Sequence, residues 1–342
     1  MKKAWENRLL GQAGIFGVGI GALDSRRIAS GSAIMIYADR NATMPATGNL
    51  ETRYRGRLIV VPFRKIQSGR FIARQERFSE RFQRRIRPVI AGYSVGNEQS
   101  TGTVGVIVTN STSPSVNLFL LSNNHVLLKD NTGRNVTLQP GRVDGGRAPN
   151  DVIGVTGKFI RLERNNFNVL DVCLTNPISD RTLAPLYATV GGVPGHMRNF
   201  SIGELFYKVG RTTGRTEGFV EAVDVTLEVS FGEALGNLTF VNQSIIRSQN
   251  GAVSLQGDSG SVWLRQEDNF ATAVNFAGDE SGLFSVSFNI HWALQVLNQT
   301  IAQPGGGSGQ VKNTAVGSRY TRTRPLTIAE REQIRDALVT FS

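Results

Sequence analysis

The chain has 342 residues, 40% of them hydrophobic and 19% charged. That composition excludes a wholly disordered chain, and the length suits one large domain with a smaller companion. The net charge of +11 is concentrated: residues 51–88 hold eleven arginines and Lys65 against Glu51, Glu76 and Glu80. The single cysteine, Cys173, rules out an intrachain disulfide. Its apolar setting, Val172-Cys173-Leu174, predicts a buried structural thiol, and the lack of disulfides favours a reducing compartment. The apolar stretch 14–23 is short and broken by glycines, unlike a signal peptide, and no run is long enough to span a bilayer. A cytoplasmic protein with no membrane partner is the expectation.

Residues 1–91 read as a small N-terminal α/β domain. Strands are expected at 14–20, 32–37 and 58–63, the last bearing Pro62 and so placed at an edge or an end. Residues 40–50 read as a loop. In 70–88, Phe71, Phe78, Phe82 and Ile86 are spaced seven, four and four apart, which predicts an amphipathic helix with an arginine-rich outer face, ended by Pro88.

From 92 to 302 the pattern changes. Apolar runs recur between turn signals at 104–108, 117–121, 152–160, 169–174, 205–209, 219–229, 238–241, 262–264, 271–276 and 283–288. So many strands without intervening helices predict a mainly β fold, a sandwich or barrel. A helix is expected over 291–301. Residues 303–326, with Pro304-Gly305-Gly306-Gly307-Ser308-Gly309, read as a flexible linker. In 327–342, Thr327 and Glu330 form a capping-box pattern ahead of a helix with Ile334, Ala337, Leu338 and Phe341 on one face.

Three histidines occur, His125, His196 and His291. His125 follows the apolar strand end Leu120-Leu121-Ser122-Asn123-Asn124, where an imidazole can stay half exposed and exchange protons. Ser259 lies in Gln256-Gly257-Asp258-Ser259-Gly260-Ser261. A nucleophilic serine needs a tight turn that exposes its Oγ and converges backbone N–H groups on a developing oxyanion, and flanking glycines permit both. Either segment alone is equally an ordinary loop or hairpin turn. His196 and His291 lack such neighbours and read as structural or surface residues. No residues cluster at metal-ligand spacing, and no cofactor is called for.

Taken together, Ser122-Asn123-Asn124-His125-Val126 and Gly257-Asp258-Ser259-Gly260 resemble the histidine and serine motifs of bacterial trypsin-like or chymotrypsin-like serine peptidases. Lys208-Val209-Gly210-Arg211-Thr212-Thr213-Gly214 is similar to a further segment of bacterial members. The strands around Gly17-Val18-Gly19 and 33–37 look like a small domain that precedes the peptidase in some of them. The resemblance covers roughly 92–302 and implies a double β-barrel and a hydrolase, a serine endopeptidase acting on protein or peptide substrates through an acyl-enzyme. It implies His125, Asp171 and Ser259 as the triad, in that family's order. Asp171 opens an apolar run, whereas Asp144, Asp151 and Asp180 read as solvated turn or loop residues. The resemblance also implies an oxyanion hole from the N–H groups of Gly257 and Ser259, and Lys208 as the charge partner of a buried Asp258. Ser261 stands where many relatives have a second glycine. The primary pocket is expected near Ser254, Leu255, Phe276, Ala277 and Gly278. No acid occurs between Asn250 and Gln256, so a mild preference for apolar or small residues is expected, which Asp279 and Glu280 could upset.

Two alternatives stand beside this. One is a catalytically quiet, peptidase-like binding module. The other is nucleic-acid binding through 51–88, with arginines on phosphate and Phe71, Phe78 and Phe82 stacking on bases. A mobile basic segment at 70–88 would also be a candidate for autoprocessing.

Overall fold

The computed structural model describes residues 2–24, 27–72, 80–110, 117–129, 131–314 and 321–341. Helix α1 (Lys2–Leu10) precedes β1 (Ile15–Asp24), β2 (Arg27–Ala38), β3 (Thr47–Tyr54) and β4 (Arg57–Gln67). These strands hydrogen-bond in the order β1-β2-β4-β3, with β2 and β4 parallel. β3 begins inside the stretch expected as a loop. Its sequence, Thr-Gly-Asn-Leu-Glu-Thr-Arg-Tyr, is largely polar, and it pairs only with β4 at the sheet's end, so it needs no apolar run.

The helix expected over 70–88 is not what the described residues form. Phe71–Ile72 is a strand, β5, and Glu80–Phe82 is one 3₁₀ turn; residues 73–79, with Phe78, lie outside the described residues. The helical spacing is met by two separate burial sites instead. Phe71 packs edge-to-face on Tyr37 and Phe82 on Tyr93, with centroids 5.9 and 5.4 Å apart. Fully burying one such ring contributes roughly 1.5–3 kcal/mol, several times a surface side-chain pair on a helix at about 0.2–0.5 kcal/mol, so tertiary burial overrides the periodicity.

The next strands are β6 (Val89–Ala91), β7 (Ser94–Gly96), β8 (Thr101–Thr103), β9 (Val106–Asn110) and β10 (Leu118–Ser122). After the short helix α2 (Asn124–Leu127) come β11 (Val136–Leu138), β12 (Val152–Ile160) and β13 (Cys173–Pro177). They form a curled sheet in the order β9-β10-β13-β12-β11-β7-β8, while β14 (Leu183–Tyr187) pairs with β6. The apolar run at 169–174 is buried throughout, but its ladder starts only at Cys173.

A second sheet is built from β15 (Gly195–Met197), β16 (Leu205–Gly210), β17 (Gly214–Ser230), the short helix α3 (Gly232–Leu235), β18 (Asn237–Ser248), β19 (Val262–Arg265), β20 (Ala271–Asp279) and β21 (Phe284–Asn289). Its core closes on itself. The order is β16-β19-β20-β21-β18-β17, and β17 pairs back with β16, which removes the open edges of a six-stranded antiparallel barrel. β17 is 17 residues long, and the stretch beyond β16 pairs with β1, from Gly17↔Leu227 to Gly21↔Ala222. The N-terminal strands therefore continue the second sheet and are not a hydrogen-bonded unit of their own.

Helix α4 (Ile290–Leu297) leads to β22 (Gln299–Ile301), which returns to the first sheet beside β9. Much of 303–326 is pinned, unlike a free linker: β23 (Gln310–Lys312) pairs with β15, and the Thr323 N–H donates to the Phe200 carbonyl; residues 315–320 lie outside the described residues. Helix α5 (Ile328–Ala337) carries the Thr327–Glu330 capping box, and β24 (Leu338–Thr340) pairs with β12. No helix among the described residues is long and apolar enough to cross a membrane.

Candidate active site between the two sheets

The site begins with α2, which the end of β10 presents to the space between the sheets. Asp171 is fully buried, and its carboxylate grips His125 twice. Oδ2 takes the Nδ1 side of the imidazole, and Oδ1 accepts the His125 backbone N–H at 3.2 Å. The Asp171 carbonyl accepts from Asn123 Nδ2 at 2.6 Å, so the asparagine before the helix fixes the loop that carries the acid. Asn124 is also buried and donates to the Ile160 carbonyl. With Nδ1 engaged, Nε2 is the nitrogen left to exchange a proton. The His125 side chain remains 17% exposed and lies edge-on to Phe231, centroids 5.5 Å apart.

β8 joins this half to the serine half. The Thr103 N–H donates to the Ser259 carbonyl at 2.8 Å, and Thr103 Oγ1 donates to the Gly257 carbonyl at 2.8 Å. Gly102 lies between the two motifs: a Cβ there would come within 2.5 Å of Val126 and 2.7 Å of the Ser259 carbonyl oxygen. Only the absence of a side chain at 102 allows the histidine and serine segments to close on each other.

In the turn at 257–261, the Asp258, Gly260 and Ser261 N–H groups donate to the Leu255, Asn275 and Asp258 carbonyls. The Gly257 and Ser259 N–H groups have no acceptor among the described residues. Gly257 has φ +96°, and a Cβ there would meet Thr212 Oγ1 at 2.5 Å, so no other residue fits. Ser261 Oγ braces the turn by donating to the Asp258 carbonyl at 2.6 Å. The Ser259 hydroxyl donates to the Phe276 carbonyl at 3.2 Å.

Asp258 is enclosed. Its Oδ1 accepts the Thr212 and Thr213 N–H groups at 2.9 and 3.1 Å; Oδ2 accepts Thr213 Oγ1 at 2.7 Å and the Leu255 N–H at 3.0 Å. Lys208 Nζ lies 3.2 Å from Oδ2, with neither side chain exposed, and 5.5 Å from the Trp263 ring. Burial lowers the Lys208 pKa from its ordinary value, and attraction to Asp258 acts in the opposite direction.

Of the expected pocket residues, Ser254 Oγ donates to Asn275 Oδ1 at 3.0 Å, and Ser285 Oγ donates to the same oxygen at 2.7 Å. This wall is uncharged. Leu255 lies against Gly282, and Ala277 and Gly278 sit in β20. The Phe276 ring packs on Phe240 and Phe288, so only its backbone faces the site. Asp279 is committed internally: its carboxylate accepts from the Ser281 hydroxyl and N–H and from the Phe284 N–H.

The reading of Asp144 as a solvated turn residue is corrected. Its side chain is 2% exposed and accepts from Arg211 Nε at 2.7 Å and Nη2 at 2.5 Å. Arg211 Nη1 donates to Thr212 Oγ1, which donates to the Gln256 carbonyl, so a pair linking both sheets underlies the serine turn. Asp151 accepts from the Arg147 N–H and pairs with Arg85, and Asp180 is exposed. Sequence reasoning passed over Arg211 and Thr103; the placement of Arg211 directly after Gly210 in the Gly-Arg-Thr-Thr-Gly run was the available signal. His196 and His291 lie elsewhere, buried and bonded to each other. Cys173 is buried, with its thiol pKa raised by burial and then by Asp171. No cluster of three or more metal-ligating side chains occurs among the described residues.

No protein-family model and no curated protein matches the chain. It is similar to the solved structure of a glutamic acid specific serine protease, at 19% identity and a TM-score of 0.44 over 62% of this chain and 100% of that one. It is also similar to Nocardiopsis protease (18%, TM-score 0.43, 62% of this chain and 97% of that one) and to Cellulomonas bogoriensis chymotrypsin (17%, 0.43, 63% and 98%).

Proposed function

We propose that the chain is a serine endopeptidase of the chymotrypsin-like kind, with Ser259 as nucleophile, His125 as general base and acid, and Asp171 as the group that orients the imidazole. The observation that carries this reading is the combination at one seam. A buried carboxylate occupies Nδ1 and leaves Nε2 free, and across Gly102 lies a glycine-flanked serine whose turn offers two N–H groups without an acceptor among the described residues.

In the proposed reaction the Ser259 hydroxyl leaves the Phe276 carbonyl and turns to His125. Oγ attacks the peptide carbonyl carbon while its proton passes to Nε2. Asp171 stabilises the resulting imidazolium, and the Gly257 and Ser259 N–H groups hold the oxyanion. Collapse breaks the C–N bond, and the amine leaves with the proton from Nε2. Water then adds to the acyl-enzyme by the same route, giving the carboxylic acid and free Ser259. Lys208 and Asp258 keep the turn in this geometry without an N-terminus released by cleavage. The expected pocket residues carry no charge, with hydroxyl and amide groups at Ser254, Asn275 and Ser285 and apolar side chains at Leu255 and Ala277, which supports a preference for apolar or small side chains.

The phenylalanines bear on the nucleic-acid alternative. Phe71 and Phe82 are buried and unavailable for stacking, while Arg85 pairs with Asp151 and Arg87 donates to Gln139. The test is labelling with a fluorophosphonate, which requires an activated serine. Stoichiometric labelling of Ser259, abolished by His125→Ala, is the expected result; an unlabelled wild-type chain overturns the reading.

A further inference from the structure

β5 makes a contact that its two residues do not need for a fold of their own. It pairs antiparallel with the end of β20, Ile72 opposite Gly278 and Phe71 opposite Asp279. On its other side Ile72 pairs in parallel with Ser230, the last residue of β17. β20 pairs with β21 along one edge; its other edge is taken by β19 as far as Val274, and the Asn275 backbone is used by Gly260 and Ser261. Among the described residues, Phe276 to Gly278 is thus the part of that edge that the barrel strands leave to others beside Ser259, with β5 at its Gly278 end, and Phe276 is the residue whose carbonyl holds the Ser259 hydroxyl. β5 lies on this edge two residues away from that carbonyl, and its antiparallel polarity directs its C-terminal end toward Ser259. Across β5, Ser230 precedes Phe231, whose ring lies against His125.

An extended peptide binds an open strand edge by adding to it, with main-chain hydrogen bonds giving affinity. We propose that β5 is a built-in occupant of the peptide-binding edge of this site, so that the chain's own N-terminal segment competes with peptide for Gly278. This rests on the serine peptidase reading for its consequence, since the edge matters to catalysis only if Ser259 acts on peptides. The occupant is anchored upstream. The Phe71 ring is fully buried against Tyr37, the Ser68 N–H donates to the Ala38 carbonyl, and Arg70 pairs with Glu228 at 3.1 Å. A tethered strand meets its edge at an effective concentration far above that of a free peptide, in the millimolar range for short connections. Long peptides that need the Gly278 edge are held off, while small acylating reagents that touch only Ser259 are not.

The test uses the full chain carrying Ser259→Ala, so that binding is read without turnover. A fluorescein-labelled peptide of residues 66–72 is titrated and followed by anisotropy. Phe71→Ala removes the anchor. Ile72→Pro keeps the anchor and removes the ladder N–H, so it covers the case in which Phe71→Ala does not fold. Either substitution is expected to tighten peptide binding at least tenfold. Unchanged affinity in a folded variant overturns the proposal, whatever the fluorophosphonate result. Labelling of Ser259 in the chain without either substitution is measured separately, so loss of the peptidase reading and loss of this one are distinguishable.

Discussion

Asp171 and Asp258 are both fully buried carboxylates, yet they are held on different plans. Asp171 turns its charge to one partly exposed imidazole and that residue's own N–H, with the rest of its loop fixed through backbone. Asp258 is surrounded: three N–H groups, a hydroxyl and an ammonium converge on it. A carboxylate with one charged outlet can respond to a proton moving on that outlet. A carboxylate with every lone pair engaged can only hold shape. In the proposed reaction the histidine half moves a proton and the serine half holds its shape. Substitutions at equivalent depth should therefore do different things.

The largest effect is expected at the proposed nucleophile. Ser259→Ala removes only a hydroxyl bonded to one carbonyl, so its thermal unfolding should match that of the unaltered chain. Peptide hydrolysis should fall on the order of 10⁶-fold in kcat, because triad members act as a unit. Asp171→Asn comes next. It keeps the volume and removes the charge that orients Nδ1–H, and kcat should fall about 10⁴-fold with the fold preserved. A steady-state assay beside a far-UV melt checks both.

Lys208→Met sharpens the contrast from the other side. It leaves Asp258 charged and buried, which typically costs roughly 3–5 kcal/mol. Stability to denaturant and peptidase activity should fall together, although Lys208 is not placed to touch substrate. Much of that cost comes from the stranded Asp258 charge, not from loss of the pair itself. Lys208→Met combined with Asp258→Asn should therefore be more stable than Lys208→Met alone, with activity still reduced because the turn has lost its ionic brace.

Much of this was legible before any coordinates. Apolar runs at 152–160 and 262–264 become strands because their alternation or continuous apolarity matches the faces they bury. The glycines around Ser259 and the asparagines before His125 are local turn signals, whereas the choice of Asp171 came only with the family resemblance, and the roles of all three belong to the proposal above. The misses share one cause, contacts distant in sequence. Nothing near Asp144 signals that Arg211, 67 residues on, will bury it. The spacing of Phe71 and Phe82 is helical on paper, but their partners lie far apart in the chain, Tyr37 on β2 and Tyr93 in the bend between β6 and β7. The addition of β1 to β17 joins residues about 200 apart, which no local pattern encodes.

The smallest expected effect concerns the two histidines outside the site. His196 Nε2 and His291 Nδ1 are 2.9 Å apart, the rings are stacked, and His196 Nδ1 is buried without a partner. One ring donates and the other accepts across that contact, so it is lost when both rings are protonated. Burial lowers the pKa of each to about 4; repulsion from His291 and Arg198 adds to this for His196, and from Arg198 for His291. His291 also stands in the first turn of α4, where a positive charge opposes the helix dipole. In the unfolded chain both titrate near 6.5. The folded value lies below the unfolded one, so the unfolded state takes up protons first as the pH falls. The stability held by the neutral pair is fully present above about pH 6.5 and is lost progressively down to about pH 4. Denaturant unfolding should show lower stability at pH 4.5 than at pH 7, by on the order of 2 kcal/mol for each histidine before solvent screening reduces it. The double substitution His196→Asn, His291→Gln should shrink that difference while leaving the Ser259-dependent activity at pH 7 in place. A wild-type chain equally stable at both values would mean that the pair does not titrate as its burial requires.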